Sequence, residues 1–459
     1  MELSGFVGDP RLARRSASLV SEWQESPGLG FPEVYDDAEL EALYRFLSNG
    51  RIEFESLHAP HAAATASRCA LHREVLVIHD TSTFVFEGER KGLGFINKNN
   101  RGFLGHFSIA ASFDGVAAVP LGTLNVSTWI REETRSSKGV SQRKLRSTAD
   151  CESHRWLESV TETQKKLKDC EAVIHVMDRE GDIYDCLASM VATSTRFVTR
   201  ANANRLLKSD EPEFNKLFDS LDGLPIQFRD SIQVSARAAS PQPDARKRHP
   251  QRDARTAHIG ITSTTVTLPR PRSSGPQLPA TTSLNLVHVF ETHVAPNDTP
   301  VEWVLLTNEP CTSEAELRRV VAIYRKRWLV EEFFKALKTG CAYEKRQLTT
   351  FHALKNTLAL ALPIAWTLLM MRTLCQHSEA LPAHDFVSSF RLKVIRAHAK
   401  RCPLPDNPTL GDVARSIAGM GGWLKRNGPP GWQTLSHGLS HLLDFEAGWT
   451  MATNTSDQS

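Results

Sequence analysis

Apolar positions recur at helical spacing near the start of the chain. In DDAELEALYRFLSNG, Leu40, Leu43 and Leu47 fall on one face and Gly50 follows as a stop. The first 65 residues are therefore expected to be helical. From about residue 74 the pattern changes. EVLVIHDTSTFVF, GHFSIAASF and PLGTLNVSTWI are β-type runs and predict three strands. SHRWLESVTETQKKLKDC predicts a helix, EAVIHVMDREGDIYD a buried strand ending in acids, and TRFVTRAN another strand. Three strands, a helix and then a strand is α/β organisation. Residues 235–285 break the pattern with Pro, Arg, Ser and Gln. They read as an inserted region with an irregular basic loop over 240–256, either solvated or in contact with nucleic acid. SLNLVHVFE and EWVLLT restore strand character, and residues 351–459 return to helix. The most apolar run, TLALALPIAWTLLMM, is expected to be a buried helix: it is too short to span a bilayer and contains Pro363.

A chain of 459 residues exceeds what one hydrophobic core usually serves, so two or three domains are expected. With 41% hydrophobic and 23% charged residues it has the composition of a globular protein. A net charge of +3 does not by itself mark a polyanion partner, but local basic clusters could bind one. Arg11, Arg14 and Arg15 form such a cluster, which fits a solvated face and a phosphate-binding one equally well. The eight cysteines are scattered, without CxxC or zinc spacing, and read as the reduced thiols of a cytosolic protein. MELSGFVGDPRLARR has no secretory apolar segment.

VLVIHD ends in Asp80 and AVIHVMD ends in Asp178. Both runs are apolar enough to be central strands, where a carboxylate is costly unless paired or bound to a cation. Open α/β sheets gather ligands at the carboxyl ends of strands. Either Asp alone fits a turn or cap residue. Together they favour a metal site, and carboxylate oxygens suit Mg²⁺. DREGDIYD does not fit an EF-hand loop.

Ser313 and Glu316 form a capping box and Gly340 sits at a C-terminal stop, predicting one helix over about 314–339. On a helical wheel Tyr324, Arg327, Glu331 and Lys338 fall within about 60° of arc, beside an apolar stripe of Val330, Phe333, Ala336 and Leu337. Lys326 falls on the apolar side without explanation. An amphipathic helix with a charged face accounts for this. Yet Glu331 and Lys338 are two turns apart, so helix salt-bridging does not require the set. A third acid beside two strand-borne aspartates is also what two-metal phosphodiester chemistry needs.

The tetrad Tyr324-x2-Arg327-x3-Glu331-x6-Lys338 resembles the Y-R-E-K signature of bacterial cut-and-paste DDE transposases, in the Tn-five transposase group of the insertion-sequence-four superfamily. GDPR, LYRFLSN, HDTS, NRGFLGH, SHRWLES, MDREGDIYD, RFVTR, EWVLLTNEP and GPPGWQTL…HLL…GW resemble that group in the same order along almost the whole chain. Ser82 departs from it, where the group often has a second Thr.

The resemblance implies an α/β fold: an RNase H-like mixed-sheet catalytic core with a β-rich insertion, flanked by helical N-terminal and C-terminal domains. Residues 1–65 would bind the DNA end, 66–370 would form the catalytic domain with an inserted β region at about 205–300, and 371–459 would dimerise. Asp80, Asp178 and Glu331 would be the catalytic and metal-binding triad, holding two Mg²⁺ ions with Mn²⁺ as a substitute. Glu332 would lie outside it. Tyr324, Arg327 and Lys338 would hold DNA phosphates, Trp303 would stack on a flipped base, Trp328 would line the same pocket, and Arg200 would contact a phosphate. The partners implied are double-stranded DNA, as terminal inverted repeats and target, and a second copy in a synaptic homodimer, with no membrane. An end-binding protein without catalysis is a competing reading, opposed by the intact triad. An RNase H-like nuclease of another kind is a third, opposed by the tetrad.

Overall fold

The computed structural model describes residues 10–97, 99–131, 154–208, 215–234, 236, 251–294, 298–376 and 381–456. Most of the basic loop expected at 240–256 lies outside these residues. Four helices open the described chain: α1 (Pro10–Glu25), α2 (Phe31–Val34), α3 (Asp37–Leu47) and α4 (Phe54–Cys69). Asp36 caps α3 in a reciprocal box with Glu39, which explains why DDAEL starts a helix.

Strand β1 (Glu74–Phe86) follows, then β2 (Gly94–Phe95), β3 (Arg101–Phe113) and β4 (Ala118–Trp129). Next come α5 (His154–Lys166), β5 (Ala172–Met177), α6 (Tyr184–Ala192), β6 (Arg196–Arg200), β7 (Phe228–Val234), β8 (Arg255–Pro269), β9 (Thr281–Glu291) and β10 (Glu302–Thr307). All ten strands join one sheet, in the order β2-β3-β1-β5-β6-β10-β9-β8-β7, with β4 also on β3. β1, β3 and β4 are antiparallel, whereas β1, β5 and β6 run parallel. Antiparallel β10 then leads to β9, β8 and β7, which come from the segment expected as an insertion at about 205–300. The described part of 235–285 is less irregular than expected: β8 alone takes up Arg255–Pro269, with Ile259, Ile261, Val266 and Leu268 buried.

The alternation of β1 sorts its side chains to two faces. Leu76, Ile78 and Phe84 belong to the large core shared with the later helices. Val75 and Val77 belong to a smaller cluster with Leu124 and Leu167. β5 sorts in the same way, with Ile174 and Val176 on the first face and Val173 on the second. α4 lies against β4 at Gly122 (φ +139°), where a Cβ would come within 2.1 Å of Thr65 Oγ1.

The later helices are α7 (Glu314–Arg325), α8 (Trp328–Lys335), α9 (Phe351–Gln376), α10 (Ser389–His398), α11 (Leu410–Met420) and α12 (Trp432–Ser456). The single helix expected over 314–339 is two. It breaks at Lys326–Arg327, where consecutive i→i−3 bonds tighten the chain, and α8 runs into a π-helical turn over Ala336–Gly340. Wheel angles do not carry across that joint. Lys326, anomalous on a continuous helix, is the C-cap of α7. α9 has 26 residues and is, among the described residues, the one helix long and apolar enough to cross a membrane. Length thus does not exclude a span, contrary to expectation. Its burial under α4, β4 and the C-terminal helices makes it the core helix expected.

Candidate active site

β1 and β5 pair in parallel as far as Ile78↔Val176. Carrying that register two residues further sets Asp80 beside Asp178, on the face shared by Ile78 and Val176. Asp178 follows the last residue of β5, as expected. Asp80 does not end its strand: β1 continues to Phe86 on β3 after its partner β5 has stopped. The pair therefore stands where two neighbouring strands part, a place analogous to a strand end. Asp178 caps the tight turn Arg179–Gly181, its Oδ1 accepting from Glu180 N at 2.8 Å. Asp80 Oδ1 accepts from Thr81 N at 2.7 Å.

α8 brings the third acid. Arg327, at the joint, donates from Nη1 to Asp80 Oδ2 at 3.2 Å and from Nη2 to Glu331 Oε1 at 3.3 Å. Its fork thus ties the helix to β1. Glu332 points elsewhere, pairing with Lys335 at 2.7 Å and with Arg372 of α9 at 3.3 Å. Val330 and Phe333, fully buried, seat α8 on the sheet, where Phe333 meets Phe107, the cross-strand neighbour of Asp80.

The electrostatics are unbalanced. Burial, then the charge of Asp178, pushes the Asp80 carboxyl up to about 7, with Arg327 opposing and Glu331 adding to the rise. Burial also raises Asp178. Three carboxylates share one arginine, with Arg179 acting on Asp178 from the turn beyond. Among the described residues no three acidic, histidine or cysteine side chains converge into a finished metal cluster. The donor set itself fits a hard divalent cation: its oxygens are all carboxylate, and a cation would relieve the repulsion that raises Asp80.

The other expected residues gather nearby in engaged states. Tyr324 is 6% exposed and meets Trp303 of β10 edge-on, ring centroids 5.6 Å apart. Arg200 donates to the Glu302 carbonyl at 2.8 Å and lines a cleft with Arg179, Asn202, Phe218 and His288. Trp328 is 53% exposed, with Arg327 and Lys335 near its ring. Lys338, on the π-helical turn, donates to the Thr83 carbonyl of β1 at 2.5 Å. Glu344 accepts from Val85 N at 2.8 Å, so the two side chains close the β1 edge that β5 leaves open. Burial lowers the Lys338 ammonium, and Glu344, 3.7 Å away, opposes that shift.

Sequence reasoning missed the other face of the same strands. His79 Nε2 lies 2.8 Å from His175 Nδ1, and His79 Nδ1 lies 3.1 Å from Ser108 Oγ. Burial holds both rings neutral, His175 down to about 3 and His79 well below its ordinary value. The available clue was a histidine next to Asp80 and another an odd number of positions before Asp178. Strand alternation puts both behind the carboxylates.

Residues 6–52 match a transposase DNA-binding family model, and residues 125–368 match a transposase DDE domain model. The second match contains Asp178 and Glu331 and begins beyond Asp80. The chain is also similar to a piggyBac transposase, in a cryo-EM structure of its synaptic complex with hairpin DNA. Identity is 10% and the TM-score 0.38, over 80% of this chain and 67% of that one. The mixed sheet is an RNase H-like core, the catalytic scaffold of DDE domains. With a DDE domain match over more than half of its length, the chain belongs to the DDE transposase family.

Proposed function

We propose that this chain is a cut-and-paste transposase of the Y-R-E-K type, in the Tn-five transposase group of the insertion-sequence-four superfamily. It moves an insertion sequence by binding its terminal inverted repeats, cutting it out and joining its 3′ ends to target DNA. The observation that carries the reading is that Asp80 and Asp178 lie side by side where β1 and β5 part, and that Arg327 bonds both Asp80 and Glu331.

Asp80, Asp178 and Glu331 would hold two Mg²⁺ ions, which supply an activated water and a charge sink for the leaving 3′ oxygen. The protein's own part is positioning. The β1–β5 register sets the two aspartates side by side, and the seat of Val330 and Phe333 sets Glu331 across from them. Arg327 and Lys338 each keep N–H donors beyond those bound to Asp80, Glu331 and the Thr83 carbonyl, and these would hold phosphate. The freed 3′-OH would attack the opposite strand to form a hairpin, which water reopens. Trp303, braced edge-on by Tyr324, would stack on an extruded base, and the exposed Trp328, with Arg327 near its ring, would line the same pocket. Arg200 would meet a phosphate at the adjoining cleft. Residues 1–65 would read the repeat, 66–370 would catalyse, and 371–459 would pair two copies so that each cuts the end held by its partner.

The test is incubation with DNA carrying the element's own inverted repeats and Mg²⁺ or Mn²⁺. Wild-type protein should cleave it, and Glu331→Gln should bind the ends without cutting. Retained cleavage in that variant overturns the triad. A wild-type protein that shifts end DNA but nicks it under no divalent metal is an end-binding inhibitor or a decayed copy instead.

A further inference from the structure

Behind the carboxylates, a chain of polar side chains crosses the strands, its middle fully buried and its ends at Gln164 and Asn125 partly exposed. Gln164 Nε2 of α5 lies 3.0 Å from His175 Nε2, and His175 Nδ1 lies 2.8 Å from His79 Nε2. His79 Nδ1 lies 3.1 Å from Ser108 Oγ, which is 2.6 Å from Ser159 Oγ, again on α5. Asn125 of β4 donates to Ser159 at 3.2 Å. Thr81 and His106 add a parallel link at 3.0 Å, and the His106 ring packs on Trp156 of α5 at 4.5 Å. His79, His175 and Ser108 are fully buried.

The chemistry of a neutral imidazole makes this chain directional. Each ring has one N–H and one lone pair, so a donor from Gln164 makes His175 Nδ1 a donor, which makes His79 Nδ1 a donor to Ser108. Turning the Gln164 amide over reverses every bond and satisfies the same atoms. Either way both nitrogens of both rings are used.

The position of the chain gives it a task. Backbone pairing of β1 and β5 stops at Ile78↔Val176, short of Asp80 and Asp178. The His79–His175 bond spans the same two strands at that frontier. A one-residue slip would carry His79 to the carboxylate face and bury Asp80 in its place. We propose that His79 and His175, tethered by Gln164 and Ser108, are positioning residues that lock the register holding Asp80 and Asp178 as a cation-binding pair. The proposal rests on the reading of Asp80 and Asp178 as metal ligands.

The experiment measures Mn²⁺ binding by electron paramagnetic resonance in DNA-free protein, alongside end-DNA binding and cleavage. Wild type and Asp80→Asn test the underlying reading. Wild type should bind Mn²⁺ and Asp80→Asn should lose it, and equal binding by the two overturns that reading whatever the histidines do. His175→Phe should keep end-DNA binding and lose Mn²⁺ affinity about tenfold or more, with a matching rise in the Mn²⁺ needed for cleavage. His175→Gln, which can span the gap, should recover most of it. Wild-type Mn²⁺ affinity in folded His175→Phe, or equal loss in the Phe and Gln variants, overturns the positioning role alone. If His175→Phe does not fold, Gln164→Leu at the outer end decides. A severalfold loss of Mn²⁺ affinity supports the lock, and no loss overturns it.

Discussion

The two faces of β1 and β5 are built from alternate residues of the same short runs, yet they are treated in opposite ways. On one face Asp80 and Asp178 are crowded together with Glu331 and share Arg327, so burial and like charge leave them short of compensation. On the other, His79 and His175 are buried more deeply, and each ring nitrogen has a partner. An unfinished site and a finished one are thus back to back. The unfinished face has something left to bind, whereas the finished one resists change. Local frustration is tolerable because the rigid layer behind it keeps the carboxylates from relaxing apart.

The contrast breaks most sharply at Asp80. Asp80→Asn should lower DNA cleavage about a thousandfold or more while raising the thermal midpoint of the metal-free protein, since it removes a buried like charge. Loss of stability together with activity would show that Asp80 holds the fold rather than the cation.

Denaturation across pH should separate the faces by sign. Asp80 rises from 3.8 to about 7 on folding, so its ionisation penalty is absent below the first value and complete above the second. Stability from this group falls as pH rises through that window, by on the order of a few kcal/mol. His175 falls from 6.5 to about 3, so its share is intact above the first value and lost as pH drops towards the second. Subtracting the Asp80→Asn curve from wild type should isolate the alkaline limb, and subtracting His175→Gln the acid limb. Added Mg²⁺ should suppress only the first.

Ser159→Ala is the milder probe of the finished face. It leaves Ser108 and Asn125 each short of a partner and should cost about 1–3 kcal/mol in chemical denaturation. Glu332→Gln should do least: it weakens pairs with Lys335 and Arg372, costs about 1 kcal/mol or less, and leaves cleavage at the wild-type rate.

Local pattern made much of this legible. The strands bearing Asp80 and Asp178 stand out as β-branched runs, and the Ser313–Glu316 box marks where α7 begins. The divergence of Glu331 and Glu332 also follows from helical geometry, because they are neighbours on the short regular helix α8. What depended on distant contacts was hidden. The joint at Lys326–Arg327 lies inside a run of good helix formers and shows only in its shortened hydrogen bonds. β8 changes its buried face along its length, from Ile259 and Ile261 to Val266 and Leu268, and Pro and Arg in the adjoining segment obscured it further. That Lys338 also bonds the free edge of β1 could not be read from its spacing. Alternation puts the histidines on the far face, but their partners on β3 and α5 could not be read from the sequence.

That edge of β1 has a mechanical consequence. Beyond Ile78 it is closed by the tips of Lys338 and Glu344 instead of by another strand. A strand is a weld, opened only by unzipping the sheet. Two side chains on adjoining turns are a clasp: an incoming anion that draws Lys338 away exposes a single carbonyl, at a cost of about one hydrogen bond. An edge closed in this way would yield to a polyanion without disturbing the β1–β3 ladder.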